Sequence, residues 1–460
     1  MKRSVRHFMV PLSIVVVLAC LAVGSRDAAK AATASQDAGS GAASAPQAAN
    51  ADHARSPAEL HRQYDPSFSW LAWQLFLRIM TPTNGSLTFE TWTEQCQLNP
   101  SAVGCPSAAV VAAAQGGASR HVRLLHRGLR TKKDTGSDCS SMINMPVGGY
   151  PPPSNLTSKA IFCEEVYVSP AEAEFIKSGL TTLADQKTYG DAHSGAINFP
   201  GTEVNLIRLD TDSVEVKVDW VPASSFHPTF ACPDTTERLY TETINGTCYA
   251  LVAIHIASKS MPNWLWATFE PESRITNPNR CDPALYGACL DPWGTSSRQE
   301  YGKGIKPQQS AQLKLAMGSA RLDPAFRNYF LTGVQTEFVE SDGHPVQLGN
   351  SFVEFNQAVA PGNSSCMTCH RYAAFDGKQT ARGAPENNFG HPPRGWPSVG
   401  YACNAHQNAN CIPAAKSTTQ DFSWLLGLMP YSSTALRSPI DSTQYPTGTS
   451  ASGRKSSAGH

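Results

Sequence analysis

The chain has 460 residues, 41% of them hydrophobic and 16% charged, which is enough for two or three domains with packed cores. Lys plus Arg and Asp plus Glu number 37 each, a balance that excludes the strongly basic surface expected of a nucleic-acid or anionic-membrane binder. With 34 Gly and 33 Pro, a plain helical bundle is excluded and much turn and loop is expected.

The first element is an export leader, residues 1–31. Lys2, Arg3 and Arg6 precede an apolar run from Phe8 to Val23, and Ala29-Lys30-Ala31 fits a cleavage site. The run is short for a spanning helix and carries Pro11. Membrane attachment is expected only if the leader is retained or Cys20 is lipidated, and the location is periplasmic or secreted. Residues 32–57, rich in Ala, Ser and Gly, read as a disordered linker, and 441–460 as a disordered tail.

Between them, residues 58–345 read as an α+β body. Phe68 to Met80 predicts a helix with Trp70, Trp73, Phe76 and Leu77 on one side. Val214 to Trp220 alternates apolar and polar residues, a half-buried strand, with Glu215 and Lys217 on one face for pairing across a sheet. Asn245-Gly246 separates Leu239–Ile244 from Cys248–Ile256, a hairpin signature. Trp264 to Phe269 predicts another strand, whose face would hold Trp264, Trp266, Thr268 and Glu270. With His255 and Lys259 these residues either line a pocket or pack as sheet core. Helices are expected over Gln308–Leu322 and Pro324–Leu331, and Phe352–Ala358 leads to the last segment. The class is α+β, with a β-rich central body, flanking helices and a mostly helical C-terminal part.

Thirteen cysteines agree with export. Cys20 leaves with the leader, and Cys366 and Cys369 belong to a motif. The other ten fall into neighbouring couples, Cys96/Cys105, Cys139/Cys163, Cys232/Cys248, Cys281/Cys289 and Cys403/Cys411, read as disulfides, although sequence alone fixes no connectivity.

Cys366-Met367-Thr368-Cys369-His370 is a C-x-x-C-H motif. Two thiols at this spacing add to the two vinyl groups of one porphyrin edge, and the following His supplies the proximal nitrogen. The motif predicts one covalent haem c, held by Cys366, Cys369 and His370. The competing reading is a redox-active C-x-x-C disulfide beside an incidental His. For the sixth iron position Met429, before Pro430, is the first candidate; its alternative role is core packing. His391, His406 and Met261 are weaker candidates. Nucleophile-elbow, zinc-helix, Walker A and dinucleotide motifs are absent from the sequence.

The C-terminal segment, taken as a haem domain over 346–440, resembles a small class I cytochrome c by Cys366–His370 and Met429-Pro430. It departs from that pattern in the Pro-rich insertion Gly383–Pro413. The rest resembles a group of large exported proteins with one C-terminal c-haem motif, to which no reaction is assigned. The shared phrases are Trp73-Gln74-Leu75-Phe76, Glu90-Thr91-Trp92, His255-Ile256 with Lys259, Trp264 to Glu270, and Leu348-Gly349-Asn350-Ser351. The resemblance implies redox work and nothing about a substrate; the first reading is a periplasmic mono-haem cytochrome that transfers one electron, with a redox partner protein as donor or acceptor. The alternative is a haem-dependent oxidoreductase, of oxidase or peroxidase type, with a small-molecule substrate pocket in the central body.

Overall fold

The computed structural model describes residues 66–99, 126–127, 139–142, 145–146, 149–202, 208–244, 246–272, 291, 293, 309–338, 346–356, 364–371, 373–375 and 417–430. The leader, linker and tail, the couples Cys281/Cys289 and Cys403/Cys411, and the candidates His391 and His406 lie outside these residues.

Helix α1 (Pro66–Ile79) forms where the aromatic spacing predicts it, and only Arg78 is exposed among its residues 69–79. A helix apolar on nearly every side is a core helix. After it come β1 (Thr93–Glu94), β2 (Ile161–Val168), α2 (Pro170–Lys177) and α3 (Leu183–Ala192). The strands β3 (Val214–Pro222), β4 (Thr241–Ile244), β5 (Thr247–Ser258) and β6 (Leu265–Pro271) follow. Then come α4 (Ala311–Ser319), β7 (Tyr329–Gln335), α5 (Val353–Asn356) and α6 (Cys366–His370). A ribbon of β8 (Ala374–Phe375) and β9 (Thr418–Thr419) precedes the turn α7 (Trp424–Gly427). Helices α2, α3 and α4 each start at a hydroxyl cap: Ser169, Thr182 and Ser310 accept from the amides of Glu172, Asp185 and Leu313.

The strands form one antiparallel sheet in the order β7–β6–β5–β3–β2–β1, with β4 hairpinned onto β5. The molecule is thus an α+β protein dominated by an antiparallel sheet. One sheet face, with Val214, Val216, Val218, Ile254, Ile256 and Phe269, packs under α1. Rings interlock there: Trp73 and Phe76 lie 4.9 and 4.6 Å from Phe269. Disulfides Cys139–Cys163 and Cys232–Cys248 are bonded as neighbours, and the second fastens the β4–β5 hairpin. Cys96 is disulfide-bonded too, and Cys105 lies outside the described residues.

Three expectations need correction. The Pro324–Leu331 run is not a helix. Asp323 caps a short 3-10 turn, Pro324–Asn328, and the chain then extends into β7. Tyr329-Phe330-Leu331 is buried throughout, and a short apolar run of this kind has no period that separates helix from strand. The Gln308–Leu322 helix contracts to Ala311–Ser319. Strand β3 is not half-buried. Its charged face is covered as well, and Asp219 is fully buried. That face is covered by α2, whose Glu172 meets Glu215, and by the C-terminal segment, whose Ser423 donates to Glu215.

Candidate functional site

Helix α6 is one short turn and a half, so it needs outside support. Ser365 caps it, accepting from the Thr368 amide, and Ser365 Oγ also lies 2.9 Å from Thr368 Oγ1. Gln335, the last residue of β7, clamps the first turn: its Nε2 donates to Ser365 Oγ at 2.8 Å and its Oε1 accepts from the Met367 amide at 3.2 Å. At 100° per residue, Cys366, Cys369 and His370 share one side of the turn, Met367 flanks it and Thr368 turns away. Met367 is fully buried in a second apolar cluster with Val168, Ile176, Trp264, Trp266 and Leu426. Cys366 and Cys369 are free thiols. Burial, and then the nearby Glu354 carboxylate, push the Cys366 thiol well above its ordinary value; burial raises Cys369 to about 11.

His370 is held from two directions. Its Nδ1 meets the Phe422 carbonyl at 2.9 Å, and its ring lies 4.5 Å from Trp266. A carbonyl only accepts, so the proton sits on Nδ1 and Nε2 keeps its lone pair. Burial pulls the imidazole down to about 4, so it is neutral at pH 7.

The Phe422 carbonyl is aimed by a strained turn. Asp421 and Phe422 have φ of 45° and 68°, in the left-handed region that non-glycine residues avoid. Four contacts hold the turn there. Asp421 pairs with the buried Lys259 at 2.9 Å and accepts from the Phe199 amide at 2.8 Å. Ser423 Oγ donates to Glu215, and the Gln420 amide to the Ala373 carbonyl. Lys259 also donates to the Pro262 carbonyl and lies over the Trp264 ring. Gly201 lets this lysine approach: a Cβ there would fall 2.2 Å from the Lys259 carbonyl oxygen.

The polar and aromatic cluster of the sequence surrounds the motif and is also well packed. Trp266 meets His370, and Lys259 holds the turn behind it. Glu270 accepts from the amide and hydroxyl of Ser351, fixing the turn before the motif. His255 lies on the covered sheet face, paired across strands with Lys217 and Thr268. Lys217 pairs with Glu164 at 2.5 Å.

Glu215, on the same face, meets Glu172 from α2. Burial and then the Glu215 charge raise the Glu172 carboxyl well above the usual range, and burial raises Glu215 too. The folded chain therefore keeps a proton that the unfolded chain releases. This stabilisation is whole below the ordinary carboxylate pKa and is lost as pH rises through the folded value. A Glu172→Gln chain should match the parent at pH 4 and exceed it by on the order of 1 kcal/mol at pH 8. Urea unfolding across that range checks it; a gap independent of pH would count against the paired carboxyls.

Met429 is fully buried in the cluster that holds Met367 and packs against Cys366. That cluster combines aliphatic residues such as Val168, Ile176, Leu425 and Leu426 with the aromatic Phe199, Trp264, Trp266 and Phe338. Met261 packs against the cluster on the other sheet face. Among the described residues no helix is long and apolar enough to cross a membrane, and no three His, Cys, Asp or Glu residues form a ready metal cluster. The sequence does not flag Gln335, Phe422 or Glu172. The run of charges at Glu215, Lys217 and Asp219 was the visible signal for the covered face.

No family model, curated protein or solved structure matches the chain.

Proposed function

We propose that the chain is an exported mono-haem c-type cytochrome, with haem joined to Cys366 and Cys369 and its iron held by His370. The observation that carries the reading is the Nδ1–H of His370 on the Phe422 carbonyl, with Nε2 left as a neutral donor beside two free thiols. Metal-binding histidines are oriented in this way. The competing C-x-x-C redox disulfide needs a thiol of lowered pKa, and both thiols here are raised. The bonded Cys139–Cys163 and Cys232–Cys248 fit an oxidising compartment, periplasmic or extracellular.

Bound haem would supply reversible one-electron chemistry at its iron. The chain's own residues do the rest. Gln335 fixes the first turn of the motif helix, Trp266 limits the tilt of the imidazole, and Lys259 keeps the Phe422 carbonyl in place. The role that follows is electron transfer between a partner donor and acceptor, with residues 346–440 as a cytochrome c-like domain. Met429 is the candidate that the sequence offers for the second axial position. A haem oxidoreductase is the second reading. It is favoured by the polar groups His255, Lys217 and Glu164, whose side chains are 17%, 28% and 11% exposed on the covered sheet face.

The test is full-length protein made in a host that attaches haem c. Haem should stay with the chain on a denaturing gel and give a c-type pyridine haemochrome, and Cys366→Ala with Cys369→Ala should abolish both. A parent chain with reduced thiols and no covalent haem would overturn the reading.

A further inference from the structure

The second axial position calls for a side chain with a lone pair and an open side. Met429 is 1% exposed inside the second apolar cluster, so its sulfur has no side open to solvent. His255 has one. Its side chain is 17% exposed while its Nε2 is sealed, so the exposed part of the ring lies away from Nε2.

Three buried polar atoms here have no hydrogen-bond partner: His255 Nε2 and both carboxylate oxygens of Asp219. Nε2 lies 4.0 Å from Asp219 Oδ2, too far for a hydrogen bond. Leaving a buried polar atom unpaired is unfavourable. Nothing therefore fixes the imidazole in its present rotation, and a half-turn about Cβ–Cγ exchanges its nitrogen and carbon edges. Asp219 stands beside a bulge in the β3–β5 pairing, between Asp219 and Trp220, a local irregularity of the kind that re-aims side chains at functional sites.

The position also fits. Thr268 pairs with His255, and Trp266, two residues along on the same face, carries the His370 ring. His255 therefore lies on the sheet face that the His370 ring of α6 packs against.

We propose that His255 supplies the second axial nitrogen to the haem iron, with the Asp219 carboxylate as the partner that orients its ring. The proposal rests on the haem reading above. It makes the centre a bis-histidine one, closed to small ligands.

The test uses the full-length haem-loaded protein, read by electronic and electron paramagnetic resonance spectra and by carbon monoxide binding. The parent should be ferric low-spin without a sulfur-to-iron far-red band, and its ferrous form should not take carbon monoxide. His255→Ala should lose the low-spin signal and bind carbon monoxide, and added imidazole should restore the parent spectrum. His255→Met should gain the far-red band, and Met429→Ala should keep the parent spectrum. A far-red band in the parent that Met429→Ala removes would overturn the inference and leave the haem reading intact. A high-spin parent that binds carbon monoxide would do the same. A parent without covalent haem would overturn the reading beneath it.

Discussion

A Lys259→Met chain is expected to lose about 3–5 kcal/mol of unfolding free energy at pH 7, the usual cost of removing one partner from a buried ion pair. Lys259 is 4% exposed and Asp421 6%, so solvent screens the pair little. Methionine fills much of the same space but leaves the Asp421 carboxylate without a cation, beside the Phe199 amide and the Trp264 side chain. Burial already raises Asp421, and Lys259 opposes that shift. Without the lysine, the folded chain holds the Asp421 proton to a higher pH than the unfolded chain. The deficit should therefore grow from pH 4 to pH 8. Asp421→Asn added to Lys259→Met should recover part of the loss, because it removes the stranded charge. Urea unfolding followed by tryptophan fluorescence measures all of this. A deficit below about 1 kcal/mol, the range of exposed pairs, would show that the pair is solvated after all.

Glu270→Ala should cost about 2–4 kcal/mol, because it strands two buried donors at once. Glu270 is fully buried and accepts from the Ser351 amide at 2.8 Å and from the Ser351 hydroxyl at 2.6 Å. The same turn is held by Asn350, which donates to Thr268 Oγ1 and accepts from the Phe352 amide. Glu270→Gln should lose less, since its amide oxygen still serves one donor. Ser351→Ala in the Glu270→Ala background should add little, because the two residues act as a unit. Additive losses in a double-mutant cycle would place the energy elsewhere.

The sequence announces the elements whose signal is local. The Asn245-Gly246 hairpin, the β3 alternation, the aromatic helix and the Cys232–Cys248 pair all follow from neighbouring residues. So does the shared face of Trp264, Trp266, Thr268 and Glu270, which the structure keeps together. What stays hidden depends on distant partners. The Phe422 carbonyl is a backbone acceptor, and no residue type marks it. Gln335 meets the motif only because β7 ends there, and the start of β7, Tyr329–Leu331, is an apolar run without a period whose sequence predicts helix. Glu172 and Glu215 meet through Ser169, whose amide and hydroxyl bond the main chain of Val214 and bring α2 onto β3.

The reach of these contacts along the chain bears on when the site is assembled. His370 bonds to a residue 52 positions later, Asn99 reaches Leu428 across 329, and Gln186 reaches Leu426 across 240. Pairings of such separation form slowly, after hairpins and helices have set. During that interval Cys366 and Cys369 are not yet enclosed, and their thiolates are accessible near the ordinary thiol pKa. Once β7 and the Asp421–Ser423 turn close around them, burial takes that reactivity away. On the proposed haem reading, the order of folding would give the motif a limited time in which covalent attachment is easy, and the finished core would end it.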